Sequence, residues 1–234
     1  MRPSAPLPQC KTPEFIGYDE VTVLRVSHLP RTLKGLGEMR RMFKVFKRKV
    51  AEGIELRQLQ PEHAEALFQL TQKNRAYLRQ WLPWVDRTES PEDPRRFVIA
   101  ALAQYEENPA NVASGIWLDG CLAGCVGTHA IDVANRSSSI GYWIEAGHQG
   151  KGVMTRCCAT LLDYLFDDME LHRIEIRCGT GNTKSCAIPQ RLGFTREGVL
   201  RDAEWVNDQW IDLVVWGMLE PDWRRTRHLR AARV

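Results

Sequence analysis

The sequence predicts an α/β (α+β) fold with one central mixed sheet, because strand-like and helix-like segments succeed one another with no internal repeat or low-complexity run. Of the 234 residues, 44% are hydrophobic and 26% charged, which excludes a disordered, collagen-like or fibrous protein and allows one self-supporting core. No apolar stretch approaches the roughly 20 residues of a membrane-spanning helix, and the N-terminus lacks the apolar core of a secretory signal. Seven scattered cysteines suit reduced thiols better than a disulfide framework, so we expect a cytoplasmic protein.

Strand periodicity recurs seven times along the chain. Each of these segments alternates apolar and polar residues, as a half-buried strand does. Asp119-Gly120 and Asn207-Asp208 mark two of the turns that join them. The predicted strands are residues 53–59, 112–118, 121–130, 137–145, 172–178, 194–206 and 209–219.

Four other segments repeat apolar residues at i, i+3 and i+4, the spacing of one helical face. Pro61 suits the first turn of the first helix, and Trp81-Leu-Pro-Trp84 ends it. The third helix has the widest apolar face, which we expect to pack on the sheet, and Pro189 limits the fourth to little more than two turns. The predicted helices are residues 61–81, 93–107, 153–166 and 182–191.

The net charge of +3 conceals an uneven distribution. Residues 1–50 hold 11 Lys and Arg against 4 Asp and Glu, and residues 221–234 hold 5 against 1, which leaves a body with a net charge of −8. An acidic body binds polyanions poorly but attracts cationic substrates, whereas the basic ends either contact nucleic acid or are simply solvated. We predict a flexible basic extension at 1–41, one domain at 42–220 and a basic tail at 221–234.

The most informative segment runs from Ile140 to Thr155, a strand that passes through a glycine-rich loop into the start of a helix. Glycine lets the backbone approach a phosphate, and the unpaired amides of a first helical turn point at it. The loop is not a P-loop, because Gly152 rather than Ser or Thr follows Lys151. It is not the dinucleotide fingerprint either, because Thr155 occupies the third glycine position. It is a phosphate-binding loop or an ordinary turn that needs glycine for its geometry alone.

Residues 149–155 resemble the acyl-CoA pyrophosphate loop of the GNAT N-acetyltransferase superfamily, whose pattern is Gln/Arg-x-x-Gly-x-Gly/Ala. Gln149 and Gly152 are in register with that pattern, and Met154 replaces its last glycine or alanine. Further segments are similar to the RimJ/RimL-type branch, which acetylates the N-termini of ribosomal proteins. These segments are Trp81-Leu-Pro-Trp84, Asn182 to Phe194 and Gly198 to Asn207. The resemblance covers about residues 43–220 and implies a GNAT acetyltransferase domain with a mostly antiparallel sheet.

By this resemblance, acetyl-CoA is the co-substrate and no metal takes part. Backbone amides from Gly150 to Thr155 would hold the pyrophosphate, and the backbone at Ile144 would lie beside the thioester. Asn182 has two compatible interpretations, a cofactor ligand near the pantetheine and a helix N-cap. The cofactor-binding residues implied are Ile144, Gln149, Gly150, Lys151, Gly152, Val153, Met154, Thr155 and Asn182.

Two side chains are implied to be catalytic. Glu204 matches a glutamate that acts as a base through water, which requires burial to raise its pKa from about 4.3; the alternative is a carboxylate on a solvated strand. Ser185 matches a serine proposed to hydrogen-bond the CoA sulfur and return its proton; the alternative is a helix-face serine with a local backbone bond. Other GNAT branches place a tyrosine near the thiolate, and residues 187–192 contain none.

The implied reaction is direct transfer of acetyl to a primary amine in a ternary complex, with a protein or peptide N-terminus, such as that of a ribosomal protein, as acceptor. Trp81 and Trp84 match the segment that lines the substrate groove in this branch, although tryptophans are more often core residues. Three alternatives stay open: a small-molecule or antibiotic acceptor, a non-catalytic acyl-CoA sensor, and a protein that binds RNA through its basic ends.

A homodimer is compatible with the sequence. The Cys121-Leu-Ala-Gly-Cys125 pair lacks the second cluster of a zinc site.

Overall fold

A computed structural model of the chain describes residues 45–231, and side chains through residue 226. The predicted basic extension at 1–41 lies outside the described residues.

Eight strands run in the order β1 Lys47–Ala51, β2 Ile54–Gln58, β3 Ala113–Leu118, β4 Cys121–Asp132, β5 Ser137–Ile144, β6 Arg173–Gly179, β7 Thr195–Val206 and β8 Gln209–Leu219. The α-helices are α1 Ala64–Leu78, α2 Glu92–Glu107, α3 Val153–Asp163, α4 Thr183–Leu192 and α5 Glu220–Ala231. Short 3₁₀ turns cover Pro61–His63, Pro83–Arg87 and Ala146–His148, and a π-helical turn, Tyr164–Asp168, continues α3.

The strands form one open sheet in the order β1-β2-β3-β4-β5-β6-β8-β7. Every neighbouring pair is antiparallel except β5 and β6, which run parallel. The predicted mixed, mostly antiparallel sheet flanked by helices is therefore confirmed, with one strand and one helix more than expected. The additional strand is β1, whose sequence Lys-Arg-Lys-Val-Ala alternates too little to be recognised. It pairs with β2 across a tight turn in which Gly53 has φ +67°.

Alternation along β5 and β6 assigns their side chains to two faces of the sheet. On one face, Ile144 and Ile176 enter the main core together with the helices α3 and α4. On the other face, Trp143 packs against Leu67 of α1 and Val98 of α2. We call these the α3 face and the α1–α2 face.

A gap opens in the middle of the sheet between β5 and β6. The two strands are in register only where Ser137–Ser139 faces Arg173–Glu175. Beyond that stretch, β5 continues beside β4 as far as Ile144, and β6 continues beside β8 as far as Gly179. The ends of the two strands therefore diverge, and backbone groups that would otherwise form a ladder are available to other partners.

The structure differs from the predicted domain boundary at residue 220, because the chain continues directly into α5. Trp223 in this helix is 1% exposed, and its ring centroid lies 6.1 Å from that of Phe166. Its indole N–H donates a hydrogen bond of 2.9 Å to Asp163 at the end of α3. A single tryptophan among arginines gives no apolar periodicity, so the sequence suggested a solvated tail where the structure has a docked helix.

None of the helices among the described residues has the length and apolar character that crossing a bilayer requires.

Candidate active site

The glycine-rich loop has the geometry of an anion-binding site. Gly150 and Gly152 have φ +75° and +73°, left-handed conformations that glycine adopts without strain. Gly152 is the N-cap of α3, and the first α-helical bond of this turn runs from the Arg156 N–H to the Gly152 carbonyl at 3.1 Å. The amides of residues 153–155 therefore lack helical partners. Apart from the neighbouring residues in the chain, an added Cβ at either glycine would meet no protein atom within 4 Å, so the space beside the two glycines is open.

Basic side chains surround this loop. Lys151 and Arg156 are exposed within it and just after it. Lys184 of α4 donates a hydrogen bond of 2.9 Å to the Gln149 side chain, which fixes the predicted Gln149 at the edge of the loop. Exposed cations add to the positive end of the helix dipole and favour a phosphate at this position. Arg156 and Lys184 lie outside the loop pattern, so the pattern did not predict them.

The backbone of Ile144 faces the gap. The next residue, Glu145, donates its N–H to the Ala123 carbonyl on β4 at 2.7 Å. Peptide groups of adjacent strand residues point to opposite sides, so the N–H and carbonyl of Ile144 are directed away from β4 and towards the gap. On the β4 side, Gly124 leaves no room for a side chain, because an added Cβ would lie 2.3 Å from the Trp143 carbonyl oxygen.

Helix α1 supports this position with two polar side chains that carry no sequence motif. The Tyr77 hydroxyl donates to the Ile144 carbonyl. Burial raises the pKa of Tyr77 to about 12, while its hydrogen bond with Gln149 acts in the opposite direction. The buried Asn74 accepts a hydrogen bond of 3.0 Å from the Ala146 N–H at the start of the loop. Together they anchor the end of β5 and the first part of the loop to one helix.

On the α3 face, three predicted or newly found side chains meet at the start of α4. The Asn182 side chain accepts a hydrogen bond of 3.1 Å from the Ser185 N–H, so the N-cap interpretation is confirmed. The Ser185 hydroxyl lies 3.4 Å from the Tyr142 hydroxyl, which donates to the Ser185 carbonyl at 3.1 Å. Burial raises the pKa of Tyr142 well above its ordinary value, which keeps the phenol protonated.

A tyrosine therefore does lie beside Ser185, although the segment 187–192 contains none. It comes from β5 rather than from α4, so a search along the helix could not find it. The available signal was the parity of β5: Tyr142 lies two residues before Ile144 and shares its face.

Glu204 lies on the opposite side of the sheet from Ser185. It pairs with Ile211 of β8, so both side chains point to the same face. The Ile211 side chain and the Trp81 ring both come within 3.2 Å of a Cβ built on Gly179, and residue 179 alternates with the core residue Cys178. This places Glu204 and Trp81 on the α1–α2 face. Glu204 is half-buried and burial raises its pKa, which is the condition that the sequence analysis set for a base.

Aromatic rings line the α1–α2 face around Glu204. Trp81 covers the end of β6, and the half-buried Trp84 ring lies 6.1 Å from the Trp143 ring. The sequence analysis did not single out Trp205 and Trp210, which form an edge-to-face pair at 5.3 Å near the tip of the β7–β8 hairpin. They are 41% and 50% exposed, and exposed aromatic pairs are typical of binding surfaces. The predicted tryptophans lie on the same face as the carboxyl, whereas Trp205 and Trp210 are the strand neighbours of Glu204 and Ile211 and therefore point to the opposite face.

The described residues thus place candidate groups on both faces of the sheet. The anion-binding loop and the Ser185–Tyr142 hydroxyls lie on the α3 face, while the Glu204 carboxyl, Trp81 and Trp84 lie on the α1–α2 face. The Ile144 N–H faces the gap between them. Such an arrangement suits group transfer between a phosphate-bearing donor and a cationic acceptor, with a hydrogen-bond donor at the point of transfer.

Comparisons with known proteins agree with this geometry. The family model described as acetyltransferase (GNAT) domain matches residues 54–195. A candidate ribosomal N-acetyltransferase of Bacillus subtilis (strain 168), YdaF, is 36% identical over 179 residues, which are 76% of this chain and 98% of that protein. The ribosomal-protein-serine acetyltransferase of Escherichia coli (strain K12) is 31% identical over 73% of this chain and 95% of its own length.

The fold has the same relatives. A solved structure of RimL, a ribosomal L7/L12 alpha-N-protein acetyltransferase in complex with coenzyme A, superposes with a TM-score of 0.72 at 29% identity. The match covers 76% of this chain and 99% of that one. The chain belongs to the GNAT family and is an N-acetyltransferase whose relatives are of the RimJ/RimL type.

Proposed function

We propose that the protein transfers the acetyl group of acetyl-CoA to the N-terminal α-amine of a protein, a ribosomal protein being the first candidate, by direct attack in a ternary complex. One observation carries this proposal: Glu204 lies on the α1–α2 face of the sheet, and the Ser185–Tyr142 pair lies on the α3 face. A proton can thus be removed on the side where the amine enters and supplied on the side where the thiol leaves. The names of the relatives favour a ribosomal protein as acceptor.

The cofactor-binding part of the proposal depends on the loop and its cations. The amides of Val153, Met154 and Thr155 would bind the pyrophosphate, with Lys151 and Lys184 adding positive charge. The open space above Gly150 and Gly152 fits such a ligand, because no side chain fills it. Acetyl-CoA supplies an activated thioester, and the Ile144 N–H would hold its carbonyl oxygen as negative charge develops there.

Glu204 would accept the proton of the incoming ammonium group through a bound water. An ordinary glutamate is a weak base for this purpose, and the raised pKa of Glu204 brings its basicity closer to the operating pH. Ile211, the cross-strand neighbour of Glu204, contributes apolar surface beside the carboxyl. A carboxylate at this position also attracts the cationic acceptor.

Ser185 would donate a proton to the departing sulfur. Its hydroxyl is 3.4 Å from that of Tyr142, whose raised pKa keeps a proton available for transfer back to the serine. Asn182 holds the Ser185 backbone in place through its cap bond. The two hydroxyls would form a short proton relay, from Tyr142 through Ser185 to the departing sulfur.

The acceptor would enter along the α1–α2 face, beside the half-buried rings of Trp81 and Trp84. Flat aromatic rings suit an extended peptide, whose backbone and side chains both make contact with them. These two rings favour a peptide over a small amine as acceptor.

The test is acetylation of a panel of peptides and small amines, followed by product mass. We expect a peptide product that Glu204→Gln reduces by about a hundredfold or more, the range of general base catalysis. Glu197→Gln is the matched control, because Glu197 lies on the same strand but is bound to Arg173, and it should retain activity. Product with small amines alone would contradict the acceptor assignment. Tight CoA binding with no product would favour the sensor and contradict the catalytic roles.

A further inference from the structure

Two cysteines flank Ser185 on the α3 face, and the mechanism proposed above uses neither. Cys178 is near the end of β6, and Cys186 is in the first turn of α4, immediately after Ser185. Their sulfur atoms lie 3.2 Å apart. The Cys186 sulfur also lies 3.7 Å from the Gly179 carbonyl oxygen at the end of β6.

The two thiols differ in accessibility. Cys178 is buried, and burial, together with the neighbouring Cys186, raises its pKa to about 12. Cys186 is half-buried and is the sulfur that a small reagent in the gap would meet first. Cys178 is then in place to react with a modified Cys186, since a disulfide needs a further approach of about 1.2 Å to its bond length of about 2.05 Å.

We propose that Cys178 and Cys186 form a peroxide-sensitive thiol pair, whose disulfide joins the start of α4 to the end of β6 and slows the enzyme by displacing Ser185. The oxidant is a hydroperoxide such as hydrogen peroxide. The Cys186 sulfur attacks its O–O bond and becomes a sulfenic acid, with release of one water. The Cys178 thiol attacks that sulfur, the S–O bond breaks, and a second water leaves as the S–S bond forms. Two thiols lose two electrons in total, and the peroxide gains them.

The effect on turnover follows from the position of Ser185 and rests on the function proposed above. Pulling Cys186 towards β6 moves the peptide that carries the Ser185 carbonyl, which accepts the hydrogen bond from Tyr142. Misplacement of a reacting group by about 1 Å can cost about a hundredfold in rate. We therefore expect the oxidised enzyme to turn over at least about tenfold more slowly, and a thiol reductant to restore it.

Trypsin makes the disulfide directly observable. Cleavage after Arg177 and Lys184 puts Cys178 in residues 178–184, and cleavage after Arg191 puts Cys186 in residues 185–191. After treatment of the full-length protein with hydrogen peroxide and blocking of free thiols, we expect these two peptides to be joined in the mass spectrum and separated by reductant. Absence of the joined pair would overturn the proposal, as would a mixed disulfide of either cysteine with CoA in its place.

Variants separate the disulfide from its effect on turnover. Cys186→Ala changes a half-buried residue and should leave the reduced activity near that of the wild type while removing both the joined peptides and the peroxide sensitivity. Cys121→Ala is the control, because Cys121 is exposed on β4, and its variant should stay sensitive. Joined peptides with unchanged turnover would overturn the coupling to Ser185. If the reduced protein shows no acetyl transfer at all, the proposed function fails, and the peptide measurement still decides whether the pair forms.

Discussion

Gly152→Ala tests whether the glycine-rich loop binds a ligand or only turns the chain. At φ +73°, an alanine in this position costs about 1 kcal/mol or more. An added Cβ meets no protein atom within 4 Å, so the folded chain offers no resistance beyond that strain. For a domain of this size we expect Tm to fall by about 2–4 °C for each kcal/mol. The affinity for CoA should fall by about tenfold or more, because the methyl group would occupy space next to the phosphate.

Gly120→Ala is the matched control for this variant. Gly120 lies in the β3–β4 turn at φ +83°, and an added Cβ there also meets no protein atom within 4 Å. The two variants should therefore lose similar stability in thermal unfolding, while calorimetric titration with CoA shows weakened binding in the Gly152 variant alone. Equal CoA affinity in the two variants would refute the assignment of the loop as a phosphate site.

Glu204, Tyr142 and Trp223 carry the further predictions. Because burial raises the pKa of Glu204, acetyl transfer should decline as the pH falls through that raised value, and Glu204→Gln should remove this limb of the pH–rate profile. The same raised pKa disfavours the folded state at higher pH, so Glu204→Gln should not lower the Tm measured at pH 7. Tyr142→Phe should lower kcat by about tenfold with little change in the KM for acetyl-CoA, as steady-state kinetics would show. Trp223→Ala should cost about 3–5 kcal/mol in denaturant unfolding, and a loss below about 1 kcal/mol would contradict the docking of α5.

The parts of the fold with strong local signals could be predicted from the sequence. The strands from β2 to β8 show alternation, and α1 to α4 each show one apolar face with recognisable ends. Strand β1 and helix α5 lack such signals, because both are dominated by basic residues. Their positions depend on tertiary partners: β2 for the strand, and Asp163 and Phe166 for the helix.

The predictable part of the site is the part with a sequence motif. The loop from Gln149 to Thr155 and the cap of α4 lie where the pattern indicated. Tyr77 and Tyr142 carry no motif, and their polar contacts lie 67 and 43 residues away along the chain. The gap near these two tyrosines exists because β5 diverges from β6, and no local periodicity encodes that divergence.

The most direct test of the central claim is to locate the acetyl group on a peptide that has both a free N-terminus and an internal lysine. Incubation with the protein and acetyl-CoA, followed by fragmentation in a mass spectrometer, distinguishes the α-amine from the lysine side chain. We predict acetyl on the N-terminal α-amine, and no product from the same peptide with a blocked N-terminus. Acetylation of the lysine alone, or no product from any free N-terminus, would contradict the account.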